Sequence, residues 1–407
     1  MSRAKAGFRV CIMTETYYPV TGGGETQARA LAEGLQAAGI PVQLVTRRND
    51  PGLAPQEVLG GVQLHRAGPT GSGHLRKWGL LFTALVKLIR LKGHYDIILV
   101  CGFRVLGVPA LLVNLIFGRP CVLKADSQGE FSGKFFDAGL DRLKLRHDRF
   151  PVSAFVRARN VLLRRAERFV AISAVIEEEY LAAGVPAGRV ARIPNSVDVS
   201  RFRPVAGEEK NRLRHRFGIA IGRPVVIFTG RLVTTKGLLS LLRAWPAVLN
   251  RHPGALLLLV GSGGLGIQNC EEMLRREVRE NSLEGSVLFT GSRNNVQEYL
   301  QASDVFVFPT EREAFGISII EAMACGLPVV TTGVDGIRDI VRPGMDALVV
   351  NPGDDDALAA AIARALDGGA EIRTLAETAR QRALQRYSSE RIVSAYRDLL
   401  AEVLHER

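Results

Sequence analysis

This sequence holds no membrane-spanning run: no uncharged apolar stretch reaches the roughly 18 residues that a spanning helix needs. The longest candidate, Val105–Gly118, is shorter and contains Pro109. Cysteine is scarce and odd in number, five in 407 residues. Cys11, Cys101 and Cys121 fall in or beside apolar strand-like runs, and Cys325 falls at a helix end. Their spacings fit neither a disulfide framework nor a metal site, so buried thiols in a reducing compartment are expected. No His, Cys or carboxylate cluster has metal-ligand spacing, and the seven histidines are scattered and read as surface residues. No Walker lysine follows a glycine-rich turn, and no DNA- or RNA-binding motif is present, so nucleic acid is not an expected partner. The start, Met1-Ser2-Arg3-Ala4-Lys5, runs straight into an apolar strand without a small-residue cleavage site. No signal peptide is expected, and a cytoplasmic location is.

The length asks for two domains, and 47% hydrophobic with 23% charged residues is a globular composition. Short buried strands alternate with amphipathic helices along both halves, which argues for an α/β fold with parallel sheets. In the first half, strands at Phe8–Met13, Pro41–Thr46, Val62–Arg66, Asp96–Cys101 and Cys121–Ala125 alternate with helices, one running from about Glu25 to Ala38. Pro194–Asp198, Phe202-Arg203-Pro204 and the charged stretch Glu208–Arg216 read as an inter-domain linker. Val225–Thr229, Ala255–Val260, Val287–Thr290, Val305–Phe308, Pro328–Thr331 and Ala347–Val350 are the strands of the second half. The domains expected are 1–198 and 199–388, with the last helix, about 389–407, packing back on the first. Two such domains put a ligand cleft between them.

The net charge is +12. Between Lys134 and Arg168, ten Lys/Arg face four Asp/Glu. That stretch, and the helix Trp78–Lys92 with Trp78, Phe82 and Leu85 among basic neighbours, are candidates for docking on an anionic membrane surface. The alternative is an ordinary domain helix whose apolar face meets the sheet.

Chemistry concentrates at strand ends. Glu313 lies in a loop after Val305–Pro309, and Glu321 lies in the second turn of the helix Ile317–Ala324, which Gly326 and Pro328 close. Open α/β sheets bind ligands at that edge. The N–H groups from Phe315 to Ser318 are the unpaired donors of a helix start, an anion site. Gly230-Arg231 and Lys236-Gly237 follow the first strand of the second half; a planar fork, a point charge and approachable backbone suit a diphosphate. Gly261-Ser262-Gly263-Gly264 ends the next strand. Gly22, Gly23 and Gly24 precede a helix in the first half, a weaker signal of the same kind. Asp354-Asp355-Asp356 reads as an acidic helix start.

With these pieces in hand the chain resembles the family 4 glycosyltransferases of the GT-B fold. The matching pieces are Gly230-Arg231…Lys236-Gly237, the Gly261–Gly264 loop, and Glu313-x7-Glu321 running into Ala322–Val330. Ala171-Ile172-Ser173 and Ile193-Pro194-Asn195 match connecting segments, so the likeness spans essentially the whole chain. It implies two Rossmann-like domains facing a central cleft. It also implies a retaining, metal-independent transfer of a hexose from a UDP- or GDP-linked sugar, with no cofactor, in glycolipid, polysaccharide or other cell-envelope glycan synthesis. The acceptor class is a glycan, a lipid-linked molecule or a small molecule. By motif, Arg231 and Lys236 hold the diphosphate, and Glu313 accepts from donor-sugar hydroxyls. Phe315, Gly316 and Ile317 offer amides, Glu321 binds the ribose, and Gly230, Gly261 and Gly263 let the donor approach. Gly22–Gly24 close over phosphate or acceptor. Many relatives carry a histidine after the strand Cys121–Ala125; here Asp126 or Ser127 stands there. An epimerase or phosphorylase on the same fold needs a further acid/base or cofactor lysine, for which no motif is found. A non-catalytic binding protein would not need Arg231, Lys236, Glu313 and Glu321 together.

Overall fold

The structure is a computed structural model that describes residues 7–406 except 21, 72–73, 137–145, 151 and 265–267; the side chains of 74–78 and 136 are also outside the description. Trp78 and part of the stretch 134–168, named above as candidate lipid contacts, therefore lie outside the described residues and side chains. Two compact units emerge, residues 1–195 with 389–407, and residues 196–388.

The first unit runs β1 (Val10–Thr14), α1 (Gly23–Ala37), β2 (Val42–Arg47), β3 (Gln56–Leu59), β4 (Val62–Ala67), α2 (His74–Leu91), β5 (Ile97–Cys101), α3 (Phe103–Phe117), β6 (Cys121–Lys124), α4 (Val152–Leu163), β7 (Arg168–Ala171), α5 (Ala174–Ala182) and β8 (Val190–Arg192). The sheet order is β3-β4-β2-β1-β5-β6-β7-β8, parallel throughout except for β3 against β4. Runs such as Ile97–Cys101 are buried at every position because helices cover both faces, and that is why they lack alternation. Strand β3 was not legible: Gln56, Glu57 and Val58 are exposed on a sheet edge. The C-terminal helix (Ser389–His405) belongs to this unit and packs on α1, with Tyr396 and Leu400 buried and Arg168 paired to Glu402 at 3.0 Å. Among the described side chains His65 departs from the surface reading: it is buried and bonds Gln43 at 2.7 Å. All five cysteines are buried and free.

The second unit runs α6 (Gly207–Arg216), β9 (Val225–Thr229), α7 (Leu238–Arg251), β10 (Leu256–Val260), α8 (Glu271–Glu280), β11 (Val287–Gly291), α9 (Val296–Ala302), β12 (Val305–Phe308), α10 (Ile317–Ala324), β13 (Val329–Thr332), α11 (Asp335–Arg338), β14 (Leu348–Val350), α12 (Asp355–Asp367) and α13 (Ala370–Tyr387). Its sheet is fully parallel, in the order β11-β10-β9-β12-β13-β14. The stretch read as a linker is corrected here. Residues 207–216 form α6, which packs on α9. Its anchor is ionic rather than apolar: Lys210 and Arg214 both bond Asp304 at 2.7 Å, and Asp304 also accepts from the N–H of Val225 at 2.8 Å. At the other end Asp354 caps α12 by accepting from the N–H of Ala357 at 3.0 Å.

Candidate functional site

In the second unit the order of strands reverses between β9 and β12, the position where open α/β sheets leave a crevice at their carboxyl ends. The loops after these two strands are tied together there. The hydroxyl of buried Thr310 donates to the Thr235 carbonyl at 3.0 Å, and the N–H of Glu311 donates to the same carbonyl at 2.9 Å. That lacing brings Lys236, from the β9 loop, to Glu313, from the β12 loop: Nζ to Oε2 is 2.6 Å. Both side chains are mostly shielded, 14% and 17% exposed. The other Glu313 oxygen accepts from the N–H of Ala314 at 3.0 Å. Arg231 is exposed, and no carboxylate among the described residues pairs with it. The edge thus holds one cation fixed by an acid and one cation uncommitted.

Close backbone approach explains two glycines. At Gly261, with φ of 146°, a β-carbon would lie 1.8 Å from the Gly230 carbonyl oxygen, so the β9 and β10 ends can meet only with glycine there. At Gly336 a β-carbon would lie 2.2 Å from the Glu313 carbonyl oxygen, so α11 packs directly under the Glu313 loop. Gly336 and Thr310 are supporting residues that motif reasoning passed over. The visible signals were a glycine inside a helix start and a hydroxyl in a buried run. Gly263 is less available than its motif implied, because its N–H already donates to Glu271 at 3.0 Å. Burial opposes ionisation of Glu271, yet this bond and that from Arg275 hold its carboxyl below the usual range.

Helix α10 starts at Gly316, whose φ is 103°. The N–H groups of Phe315, Gly316 and Ile317 donate to no described carbonyl or side chain. Glu321, one turn along, is half-buried and its carboxylate accepts no bond from any described donor. Burial pushes its carboxyl up to about 7, with Arg201 pulling the other way. Arg201 is itself held by the carbonyl of Asn294 and by Gln297, both at 2.7 Å.

In the first unit, Gly22 caps α1, and Gly23 and Gly24 are already helical, so the helix starts two residues before Glu25. Asp126, after β6, pairs with buried Lys124 and points one oxygen at Gly24 and at the turn Gly102. Its N–H and that of Ser127 donate to buried Glu130 at 3.0 and 3.1 Å. Gly22–Gly24 and Asp126 lie in one unit, and Gly230, Arg231, Lys236, Gly261, Gly263, Glu313, Phe315, Gly316, Ile317 and Glu321 in the other; the contacts shown join Lys236 to Glu313, Gly230 to Gly261, and Asp126 to Gly24. Among the described residues no group of three or more His, Cys, Asp or Glu side chains is placed to share a metal. No described helix is long and apolar enough to cross a membrane.

Two family patterns match the chain, one per unit. Residues 22–196 match "Glycosyl transferase 4-like domain", and residues 223–368 match "Glycosyl transferases group 1". An uncharacterized glycosyltransferase of Methanocaldococcus jannaschii is 27% identical over 394 residues, 94% of this chain and 95% of that one. Several other relatives, among them one 34% identical, are matched over about half of their own length. Among solved structures, sucrose-phosphate synthase of Thermosynechococcus elongatus superposes with a TM-score of 0.81 at 26% identity, over 98% of this chain and 100% of that one. HepE of Anabaena, solved with UDP-glucose, gives 0.77 at 21% identity, over 97% and 100%. These neighbours share the GT-B fold, two parallel-sheet α/β domains.

Proposed function

We propose, for a chain whose two domains both belong to glycosyltransferase families on a GT-B fold, that it transfers a hexose from a UDP- or GDP-linked sugar to an acceptor hydroxyl, with retention and without a protein-bound metal. The observation that carries this reading is the Lys236–Glu313 pair at the reversal of strand order, beside an uncommitted Arg231 and free helix-start amides. As the anomeric carbon leaves its phosphate oxygen, negative charge grows on the diphosphate. Lys236, Arg231 and the amides of Phe315, Gly316 and Ile317 offset that charge in a partly dehydrated place, where fixed charges act most strongly. Glu313, already oriented by Lys236 and the Ala314 N–H, accepts from hydroxyls of the donor sugar. Glu321, whose carboxylate accepts no bond from a described donor, accepts from the ribose. Gly230 and Gly261 leave the backbone room at the donor.

The acceptor oxygen then bonds to the anomeric carbon on the face the phosphate is leaving. Its proton passes to the departing phosphate oxygen, so no protein nucleophile is required. Gly22–Gly24 and Asp126 serve the acceptor or phosphate side. The acceptor is a glycan, a lipid-linked molecule or a small molecule of cell-envelope glycan synthesis. A panel of UDP- and GDP-sugars, followed by release of the nucleoside diphosphate and by thermal shift, tests the reading. One donor should raise the unfolding temperature and be turned over. If none does either, the transferase assignment fails.

A further inference from the structure

The positive charge of this chain is not spread over its surface. Segments 74–92, 103–119 and 149–166 hold twelve Lys and Arg and no Asp or Glu. The whole chain has 53 Lys/Arg and 41 Asp/Glu, so the remaining 41 cations are matched one for one by acids. Three segments therefore carry the entire excess of +12. They contain α2, α3 and α4, and α3 packs against both of the others, so the segments share one helical layer of the first domain. Arg159 is spent inward, bonding the carbonyls of Glu130 and Phe131 at 2.8 Å. Arg90, Lys92, Arg149, Arg157, Arg164 and Arg165 are exposed. Each helix also shows large apolar side chains to solvent, the most exposed being Phe82 at 70% on α2, Ile116 at 63% on α3 and Val161 at 58% on α4.

Folding does not ask for such a layer. Surface helices gain from acids placed four residues from bases, and ordinary surfaces intersperse the two signs. Arg104 and Arg119 meet acids from outside the segments, Glu130 and Asp96, each at 3.7 Å. Helices with no acid of their own, and with apolar side chains set among long exposed cations, match a surface of uniform negative charge over an apolar interior. We propose that this layer docks the protein on a bilayer containing anionic lipid. Phe82, Ile116 and Val161 enter the boundary between headgroups and acyl chains, and the exposed arginines meet headgroup phosphates. An acidic protein would answer the charge, but the three apolar side chains sit on three separate helices, and a fluid surface takes them without a matching groove. The inference does not depend on the transferase reading, since vesicle binding is measured without turnover.

The test sediments the full chain with vesicles of phosphatidylcholine alone and of phosphatidylcholine mixed with phosphatidylglycerol. Binding is expected only to the mixed vesicles. It should be lost in about 1 M salt, where attraction is screened beyond ~3 Å. Each cation near such a surface contributes about fivefold in partition, so Arg164→Glu with Arg165→Glu should weaken binding by at least about 20-fold. Phe82→Ser with Ile116→Ser should weaken it several-fold. Unchanged unfolding temperatures in both double variants show that the fold is intact. Arg293→Glu in the second domain should bind like the wild-type chain. Equal partition to the two vesicle types, no partition, or wild-type binding by the Arg164/Arg165 variant overturns the proposal. So does sedimentation without vesicles, which would mean that a second copy covers the layer, or displacement from vesicles by duplex DNA at low stoichiometry.

Discussion

Glu130 in the first domain and Glu321 in the second are both acids that burial makes harder to ionise, and their surroundings part company from there. One oxygen of Glu130 is spoken for by its own loop. Its Oε1 accepts from the N–H groups of Asp126 and Ser127, and so fixes the turn that carries Asp126, while its buried Oε2 has no hydrogen-bond partner among the described residues. Glu321 accepts from nothing described, although it sits one turn from a helix start with free amides. An acid that ties down its own loop through one oxygen is a structural part. A shielded acid without a donor costs stability unless a ligand supplies hydroxyls. The two domains thus use the same physical effect for different ends, the first to hold a loop and the second to hold a place for a substrate.

The contrast is sharpest in the cations of the second domain. Lys236→Ala and Arg231→Ala should each lower turnover by about 100- to 1,000-fold, since each removes a donor aimed at developing charge. Arg231→Ala should leave the unfolding temperature unchanged because the side chain is exposed and unpaired. Steady-state rates and thermal melts check both, and wild-type turnover in both would remove the diphosphate assignment. Next in size, Glu321→Ala should weaken nucleoside diphosphate binding about 10- to 100-fold, as expected for lost bonds to a charged group, without loss of stability. Glu130→Ala should do the reverse: stability drops by about 1–3 kcal/mol while nucleotide affinity holds. If the two variants behaved alike, the distinction between them would collapse.

Gly336→Val forces a side chain onto the Glu313 carbonyl. Donor affinity should fall in this variant through displacement of Glu313, and a titration with the donor reads it. The smallest effect is in pH. In the folded chain Glu321 keeps its proton up to about 7, above the range of an exposed carboxyl. The folded state therefore binds more protons than the unfolded one between those values, and stability falls as pH rises toward 7. Nucleotide affinity should move the other way, falling as pH drops through about 7, because the ionised form accepts the ribose hydroxyls. Glu321→Gln should flatten both slopes in paired melts and titrations, and unchanged slopes would shift the effect to another group.

Much of the second domain was legible because its strands are continuous apolar runs and its site residues follow them directly. Leu256–Val260 and Val305–Phe308 can only be buried strands, and Arg231, Lys236 and Glu313 sit where such strands end. Elements held by charge rather than by apolar periodicity were harder. Helix α6 buries only Arg214, and two ion pairs to Asp304, ninety or so residues away, decide that it is a helix on the domain and not a linker. Strand β3 has no apolar face to reveal it. The Lys236–Glu313 contact spans 77 residues and depends on the order of strands, which no local pattern encodes. The commitment of Gly263 to Glu271 is local, eight residues apart, but it depends on how the loop folds back on the next helix start rather than on any apolar pattern.

Equilibrium titration of the wild-type chain and of Lys236→Ala, with a nucleoside diphosphate and with the free nucleoside, reaches the centre of this account. Loss of the lysine should weaken the diphosphate at least about tenfold, the worth of a charge-assisted bond, and leave the nucleoside unchanged. Equal weakening of both, or of neither, would contradict a diphosphate held at the Lys236–Glu313 edge.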